Sequence, residues 1–501
     1  MALEIEDKFD VPVDYEIPEL AGVRGCAEVV GPKSHQLVAI YFDTADLRLA
    51  ARGITLRRRR GGADPGWHLK LPKAKGVRQE ITHPLTRSTK IVPAELATLV
   101  LAYTRGRDLV PVAELDTRRN VTWLKDADGN TAVELADDRV KGTVFGDEPR
   151  VERWREVEAE LIGADTAFLR RVGKRLRKAG ASPAASANKL SRLLNGASQR
   201  VTAPPALAAA EGTAGEVVLR YLAAQVAALL AQDPRVRRAE DDAVHQMRVA
   251  CRRTRSALKA FKRIVAVTPE TTALQEELRW LGNELGVVRD LEVIRARFAR
   301  HFAALPAELV VGPIRARLGD DLLAKEQQGY GVIRETLSGE RYFAFLDSLD
   351  ALLAAPPLTK VAARPADAPL AAVAEREWNR VTTAFDVAQA EPTEAAREIA
   401  MHDVRKAAKR ARYTAEVLGM RELAKLAESV QETLGTYQDG VVTQELLAAE
   451  AETARQAGED TFTYGVLTGL ERGTGERAHA AFPGVWAETT ASARAFFDAR
   501  R

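Results

Sequence analysis

Cysteine is nearly absent. Cys26 and Cys251 are the two in 501 residues, too few and too far apart to suggest a disulfide framework or a zinc site. A reduced, cytoplasmic chain is the expectation. Long apolar runs are missing as well: the most apolar stretch, Tyr221 to Ala231, is short, contains Gln225 and follows Arg220. A membrane span needs about 20 apolar residues, so no membrane association is expected. The N-terminus, Met1-Ala2-Leu3-Glu4-Ile5-Glu6, is acidic where a secretory signal is basic and then apolar. No Walker-type Gly-rich loop occurs, which argues against a P-loop ATPase. Neither sign of charge dominates: 73 Lys and Arg face 70 Asp and Glu, a net charge of +3. A 29% charged content that nearly cancels implies local sorting of charge, not a uniformly basic surface.

What is present is ordinary globular composition, 46% hydrophobic, enough for a real core, on a chain long enough for two to four domains. The pattern changes near residue 200. Before it, short segments alternate on a period of two between Gly, Pro and Asp breaks: Leu3 to Phe9, Ile54 to Arg60, Trp67 to Leu71, Val77 to Thr82, Asn120 to Leu124, Thr131 to Leu135 and Arg155 to Leu161. These read as antiparallel strands, with helices over Pro93 to Thr104 and Ala164 to Lys178. After it, Ala, Leu, Glu and Arg recur at helical spacing. The expected layout is a strand domain over 1–199, a linker over 200–214 and a helical domain over 215–501, split by a Pro-rich break into halves of about 215–355 and 370–501.

The strand domain alternates charges in runs. Glu4, Glu6 and Lys8 share one face of the first strand, Arg57 shares a face with Arg59, and Glu156, Glu158 and Glu160 alternate again. For any one strand, a solvated charged face is the ordinary explanation. Several strands repeating pure Glu or pure Arg pairs point instead to a closed barrel with a charged lumen. Arg and Lys there would hold a polyanion, and paired carboxylates would make a hard oxygen site for Mg²⁺ or Mn²⁺. Metal plus phosphate-binding cations is equipment for phosphoryl transfer, with a triphosphate as the substrate class.

Glu4-Ile-Glu6-Asp-Lys8, with Tyr41-Phe42-Asp43-Thr44, Leu56-Arg57-Arg58-Arg59, Lys70, Arg78-Gln-Glu80, Arg118-Arg119, Glu134 with Asp138, Glu156-Val-Glu158-Ala-Glu160 and Lys189, resembles the CYTH domain of triphosphate tunnel metalloenzymes across about residues 1–196. That resemblance implies an eight-stranded antiparallel tunnel. It implies metal at Glu4, Glu6, Glu156, Glu158 and Glu160, and triphosphate on Lys8, Arg57, Arg59, Lys70, Arg78, Arg118 or Arg119, and Lys189. Lys8, Arg57, Arg59, Glu134 and Asp138 would form the catalytic set. Two small departures stand out: Asn188 precedes Lys189 where the family usually has Ser, and Val140 sits where Gly often follows the Glu134 strand.

The helical region carries an internal repeat. His245-Gln-Met-Arg248-Val-Ala-Cys-Arg252-Arg253-Thr-Arg255 matches His402-Asp-Val-Arg405-Lys-Ala-Ala-Lys409-Arg410-Ala-Arg412, and Leu285-Gly286-Val-Val-Arg289-Asp290 matches Leu434-Gly435-Thr-Tyr-Gln438-Asp439. At about 100° per residue, His245, Arg248, Arg252 and Arg255 fall in one basic sector, as do His402, Arg405, Lys409 and Arg412. One His per helix, with no carboxylate at ligand spacing, does not make a metal site. These motifs resemble the CHAD domain, the conserved histidine α-helical domain, over about 215–501. The resemblance implies two pseudo-symmetric four-helix bundles and a basic surface for inorganic polyphosphate, drawn from His245, Arg248, Arg252, Arg253, Arg255, His402, Arg405, Lys409, Arg410 and Arg412.

The whole reads as an α+β cytoplasmic inorganic triphosphatase joined to a polyphosphate-binding module that could place it on polyphosphate granules. Two alternatives stay open: a non-catalytic polyphosphate-binding protein, and a tunnel enzyme acting on thiamine triphosphate or nucleoside triphosphates or cyclising ATP. No RNA-binding motif or aromatic platform accompanies the arginines, so nucleic acid is not the expected partner. Trp67 and Trp123 read equally as core or as rim.

Overall fold

The computed structural model describes residues 5–62, 64–74, 77–146, 149–163, 165–186, 188–194 and 208–500. Glu4 of the expected metal set and most of the expected linker lie outside these. The chain forms two compact units, Met1–Pro204 and Pro205–Arg501.

The first unit is an antiparallel sheet of β1 (Ile5–Val11), β2 (Glu28–Asp43), β3 (Thr55–Arg60), β4 (Gly66–Ala74), β5 (Val77–His83), β6 (Val110–Lys125), β7 (Thr131–Val144), β8 (Arg150–Leu161) and a two-residue β9 (Ser182–Pro183), with helices α1 (Ala94–Ala97), α2 (Leu101–Thr104), α3 (Thr166–Lys178) and α4 (Lys189–Leu194). The strand order is β5-β4-β3-β2-β6-β7-β8-β1-β9. Eight substantial strands were expected and are found, but no hydrogen bonding joins β5 to the β1/β9 edge among the described residues, so the sheet is curled and not closed. The 16-residue β2 is not among the strands expected from alternation, because its first half is largely exposed and lacks the half-buried pattern.

One face of this sheet is apolar and covered. Phe9, Val11, Leu135, Val157 and Ala159 pack against Phe168, Leu169, Val172 and Leu176 of α3, whose start is capped by the Asp165 side chain accepting from Phe168 N at 2.7 Å. Each fully buried Val, Leu or Phe side chain here is worth roughly 1.5–3 kcal/mol. Since successive side chains alternate, burying Phe9, Val157 and Ala159 turns Lys8, Glu158 and Glu160 to the opposite, concave face. The Tyr41-Phe42-Asp43-Thr44 motif is architectural at its acid: the buried Asp43 carboxylate accepts from the backbone N–H of Thr44, Leu49 and Ala50.

The second unit holds α5 (Ala214–Arg237), α6 (Ala243–Ala260), α7 (Pro269–Ala304), α8 (Leu322–Thr336), α9 (Glu340–Ala354), α10 (Asp367–Ala390), α11 (Glu394–Val417), α12 (Arg421–Gln456) and α13 (Phe462–Asp498). Its second half is a four-helix set, α10 to α13, around Trp378, Val381, Val404, Ala408, Val430 and Phe482. In the first half the fourth helical stretch is interrupted at Leu337-Ser338-Gly339 and becomes α8 and α9. The repeated helices α6 and α11 touch each other, and α7 and α12, which follow them, are each 36 residues long. Phe298 and Phe302 of α7 pack with Leu447 and Ala454 of α12 and with Tyr464 and Leu467 of α13, tying the halves together.

α5 corrects one expectation. By length and composition it is long and apolar enough to cross a membrane, with an 18-residue mean hydropathy of 1.4, because the apolar pattern continues beyond Tyr221 and Ala231. Its Val218, Leu219, Leu222, Val226 and Leu229 are buried inside the helical unit.

Candidate active site and basic surface

The concave face of the sheet encloses a cavity of about 1010 Å³. Strand register decides what meets what on its acidic wall. Glu6 of β1, Glu160 of β8 and Glu134 of β7 are neighbours in one row; Lys8, Glu158 and Ala136 form the next; Asp10, Glu156 and Asp138 form a third. The opposite wall, β3 to β5, carries Arg57, Arg59, Lys70 and Arg78. Cations and carboxylates thus occupy facing sides of one cavity.

Asp138 and Glu156 of the third row and Glu158 of the second are saturated. Asp138, Glu156 and Glu158 each bring a carboxylate oxygen within 4.8 Å of the others, a spacing that could hold a metal ion. The Lys189 ammonium, with three N–H donors, instead meets all three, at 2.9, 2.6 and 2.8 Å. Arg119 donates Nε to Asp138 Oδ1 at 2.8 Å, and its Nη2 reaches Asp138 Oδ2 at 2.6 Å and Glu158 Oε2 at 2.7 Å. Lys8 Nζ bridges Glu6 at 3.0 Å and Glu158 at 3.1 Å. Burial opposes the charge of Glu158, but Lys189, Lys8 and Arg119 outweigh it and hold its carboxyl well below the usual range. Burial likewise opposes the Lys189 charge, and the three carboxylates raise its pKa in spite of it.

Lys189 is set by α4. Asn188 accepts from Ser191 N at 2.8 Å, so the Asn at the family's usual Ser position keeps a side-chain cap. Leu190, Leu193 and Leu194 bury against Trp154 and Val140. Gly142 admits this helix: a Cβ there would lie 2.9 Å from both Leu193 methyls and 3.0 Å from Trp154.

The basic wall is less satisfied. The Nε atoms of Arg57 and Arg59 are buried without a hydrogen-bond partner. Burial first, then Arg57 and Arg119, push the Arg59 pKa down to about 10. Asp64, from the β3–β4 turn, rests its carboxylate on Arg59. Lys70 lies 3.6 Å from Glu80, whose pKa is held near about 2, chiefly by hydrogen bonding to His68 and then by Lys70 and Arg57 against the effect of burial.

Of the expected site residues, Glu6, Lys8, Arg57, Arg59, Lys70, Arg78, Arg119, Asp138, Glu158, Glu160 and Lys189 line the cavity. Three more expected residues stand apart from this lining. Arg118 is exposed and points the other way from Arg119, as alternation requires. Glu134 accepts from Trp123 Nε1 at 2.9 Å and is outside the lining. Glu156 is engaged by Trp154 Nε1 at 2.6 Å and by Lys189. The buried His68, 2.9 Å from Glu80 and 3.1 Å from the Asp64 carbonyl, was missed; its signal was its place two residues before Lys70, on the same strand face. Trp67 is core, fully buried 5.1 Å from the Phe42 ring. Tyr41 is the one aromatic side chain lining the cavity among the described residues.

In the helical unit, the two repeated motifs form one physical arrangement twice. Arg248 Nη1 donates to Asp290 at 3.0 Å; Arg405 Nη1 donates to Gln438 at 3.0 Å and Nη2 to Asp439 at 3.5 Å. His402 Nδ1 lies 3.0 Å from Gln438 Oε1. The basic stripes converge: burial first, then Arg405, Arg252 and Arg248, push the Lys409 pKa down to about 8. Burial, followed by Arg289 and Arg252, lowers that of His245, which makes His245 a neutral neighbour of the stripe. Three more of the expected cations pair with acids: Arg253 with Glu416 at 2.8 Å, Arg410 with Glu377 at 2.5 Å, Arg412 with Glu428 at 2.8 Å.

A curled sheet with facing cationic and acidic walls, followed by a duplicated helical unit with a basic surface, is the arrangement of a CYTH tunnel domain joined to a CHAD domain. The CYTH domain family matches residues 2–194 and the CHAD domain family residues 220–448, and the chain belongs to the proteins that join a CYTH domain to a CHAD domain. CYTH members act on triphosphates. An uncharacterized protein of Mycobacterium tuberculosis is 39% identical over 491 residues, covering 95% of this chain and 94% of that relative. Among solved structures, PptA from Streptomyces chartreusis is 23% identical with a TM-score of 0.46, covering 55% of this chain and 99% of its own. The CHAD domain from the plant Ricinus communis is 25% identical with a TM-score of 0.44, covering 56% and 96%.

Proposed function

We propose that the N-terminal unit hydrolyses inorganic triphosphate to diphosphate and phosphate with Mg²⁺ or Mn²⁺, and that the helical unit binds inorganic polyphosphate. The observation that carries the first part is the pair of buried, unpartnered Nε donors on Arg57 and Arg59. Buried donors without partners are rare, and forked guanidiniums match successive phosphate oxygens.

The acidic wall fits a hard divalent cation. Glu6 and Glu160 line the cavity in adjacent register, and Glu158 sits one row further, so these carboxylates would hold it. When bound, the ion supplies charge neutralisation and Lewis acidity at the phosphoryl oxygens. The chain does the rest. Arg57 and Arg59, with Lys70 and Arg78, hold the phosphates against the basic wall. Lys8 stays protonated between Glu6 and Glu158 and sets a fixed positive charge beside the terminal phosphate. Arg119 and Lys189 both pair with Asp138 and keep Glu158 ionised. Attack of water on the terminal phosphorus breaks one P–O–P bridge, and the departing diphosphate carries negative charge that the arginines already face. Inorganic triphosphate is favoured over a nucleotide because neither Trp67 nor Trp123 lines the cavity and Tyr41, the one aromatic lining it among the described residues, is 5% exposed.

The polyphosphate reading is supported by the crowding of Arg248, Arg252, Arg405 and Lys409. Covalent linkage of the units would raise the local concentration of triphosphate ends or hold the enzyme on polyphosphate granules in the cytoplasm. The test is phosphate release from inorganic triphosphate, ATP, thiamine triphosphate and long-chain polyphosphate, with and without divalent metal. Metal-dependent release chiefly from inorganic triphosphate is expected. No release from any of them, with polyphosphate still bound, would recast the protein as a binding module.

A further inference from the structure

The halves of the helical unit differ in charge where their repeats correspond. Matching His245 with His402 and Gly286 with Gly435 pairs Arg255 with Arg412, Lys259 with Glu416 and Arg279 with Glu428. In the second half the acids close on their arginine: Arg412 Nε donates to Glu416 at 3.1 Å, and its Nη2 lies 2.8 Å from Glu428. Glu416 also takes Arg253 of the first half at 2.8 Å. At the same three places the first half has only cations. Burial, then Arg279 among its neighbours, lowers the pKa of Arg255; burial, Arg255 and Arg279 lower that of Lys259. The Arg252 Nε is buried with no hydrogen-bond partner. Arg252 also stands close enough to Lys409 and to Arg255 to act on both charges, so the cations form a continuous tract.

We infer that polyphosphate runs from the Arg405–Lys409–Arg252 convergence along the first half alone, over Arg255, Arg279 and Lys259, with Arg412 outside its footprint. This rests on the polyphosphate reading above and sharpens it: the fold is duplicated, but the site is one-sided. Glu416 and Glu428 are the residues that break the symmetry. A phosphoanhydride chain suits such a tract better than a nucleic acid, whose bases need rings to stack on. Two rings beside these helices are already stacked on, Tyr413 by Arg253 and Trp280 by Arg341.

The experiment titrates long-chain polyphosphate into the full chain at several salt concentrations, with thermal unfolding of each variant as a folding control. Arg255→Glu with Arg279→Glu is expected to weaken binding about tenfold or more and to flatten the salt dependence, because fewer counterions are released. Arg412→Gln is expected to bind like wild type, and Glu416→Gln with Glu428→Gln more tightly. Unchanged binding in Arg405→Glu with Lys409→Glu would overturn the polyphosphate reading itself. Loss there, with no loss in the Arg255/Arg279 variant or with an equal loss in Arg412→Gln, would overturn the one-sided tract. Equal affinity for single-stranded DNA of matched phosphate number would overturn the choice of ligand.

Discussion

Arg405 lies directly over Gly435: a Cβ built on that glycine would be 2.8 Å from Arg405 Nη2, and one on Gly286 would be 3.1 Å from Nη2 of Arg248. Glycine in a helix interior costs about 1 kcal/mol relative to alanine, yet each 36-residue helix has one here. The absent side chain is what lets the guanidinium lie on the helix and reach Asp290 or Asp439. The repeated His-x-x-Arg and Leu-Gly motifs are therefore two halves of one contact.

Gly435→Val and Gly286→Val should each lift the arginine from its neighbour helix. Polyphosphate affinity should fall several-fold while far-ultraviolet dichroism is unchanged. Titration calorimetry measures the first; an unaltered affinity would mean that the orientation of Arg405 is irrelevant to binding.

Arg57→Ala should reduce triphosphate turnover about 100-fold or more, the scale of losing a preorganised transition-state donor. It should not destabilise the N-terminal unit, because it removes a buried donor that has no partner. A parallel loss of melting temperature would show that Arg57 supports the fold and not the substrate. Glu6→Ala should likewise abolish metal-dependent turnover with the fold retained.

Lys189→Met should cost about 3–5 kcal/mol, since it leaves Asp138, Glu156 and Glu158 facing one another without their common cation. The pH dependence follows from the sign. In the wild type, Glu158 has a depressed folded pKa, so its stabilisation is present above the unfolded carboxylate range and is lost as pH falls through the folded value. In the variant the crowded carboxyls have raised pKa values, so the deficit should shrink as pH is lowered from about 7 to 4. Thermal melts across that range test it. Added Mg²⁺ should restore part of the lost stability, because the three oxygens already lie within 4.8 Å of one another.

Binding of polyphosphate should weaken as pH rises from 7 to 9. Lys409 titrates at about 8 in the free protein, and a bound polyanion favours its protonated form, so binding takes up a proton near that pH. Lys409→Arg, whose guanidinium stays charged, should flatten the profile. A wild-type profile already flat across this range would remove Lys409 from the contact.

Much of this protein was readable in its sequence. Period-two runs of Glu and Arg announced a charged concave face, because alternation alone puts every second side chain on one side of a sheet. The His-x-x-Arg and Leu-Gly repeats announced a duplicated helical unit. Partnership is a different matter. No local pattern shows that Lys189, 31 positions from Glu158, fills the acidic cluster of Asp138, Glu156 and Glu158. Nor does any local pattern separate Arg119 from Arg118, since parity along β6 depends on register with β2 and β7, and β2 carries two register shifts against β6. In the helices the same basic stripe appears twice in the sequence, but Arg412 is neutralised from α12 while Arg255 meets Arg279 from α7. Helical spacing determines which residues share a face. Which charge answers that face is decided by the neighbouring helix that packing brings there.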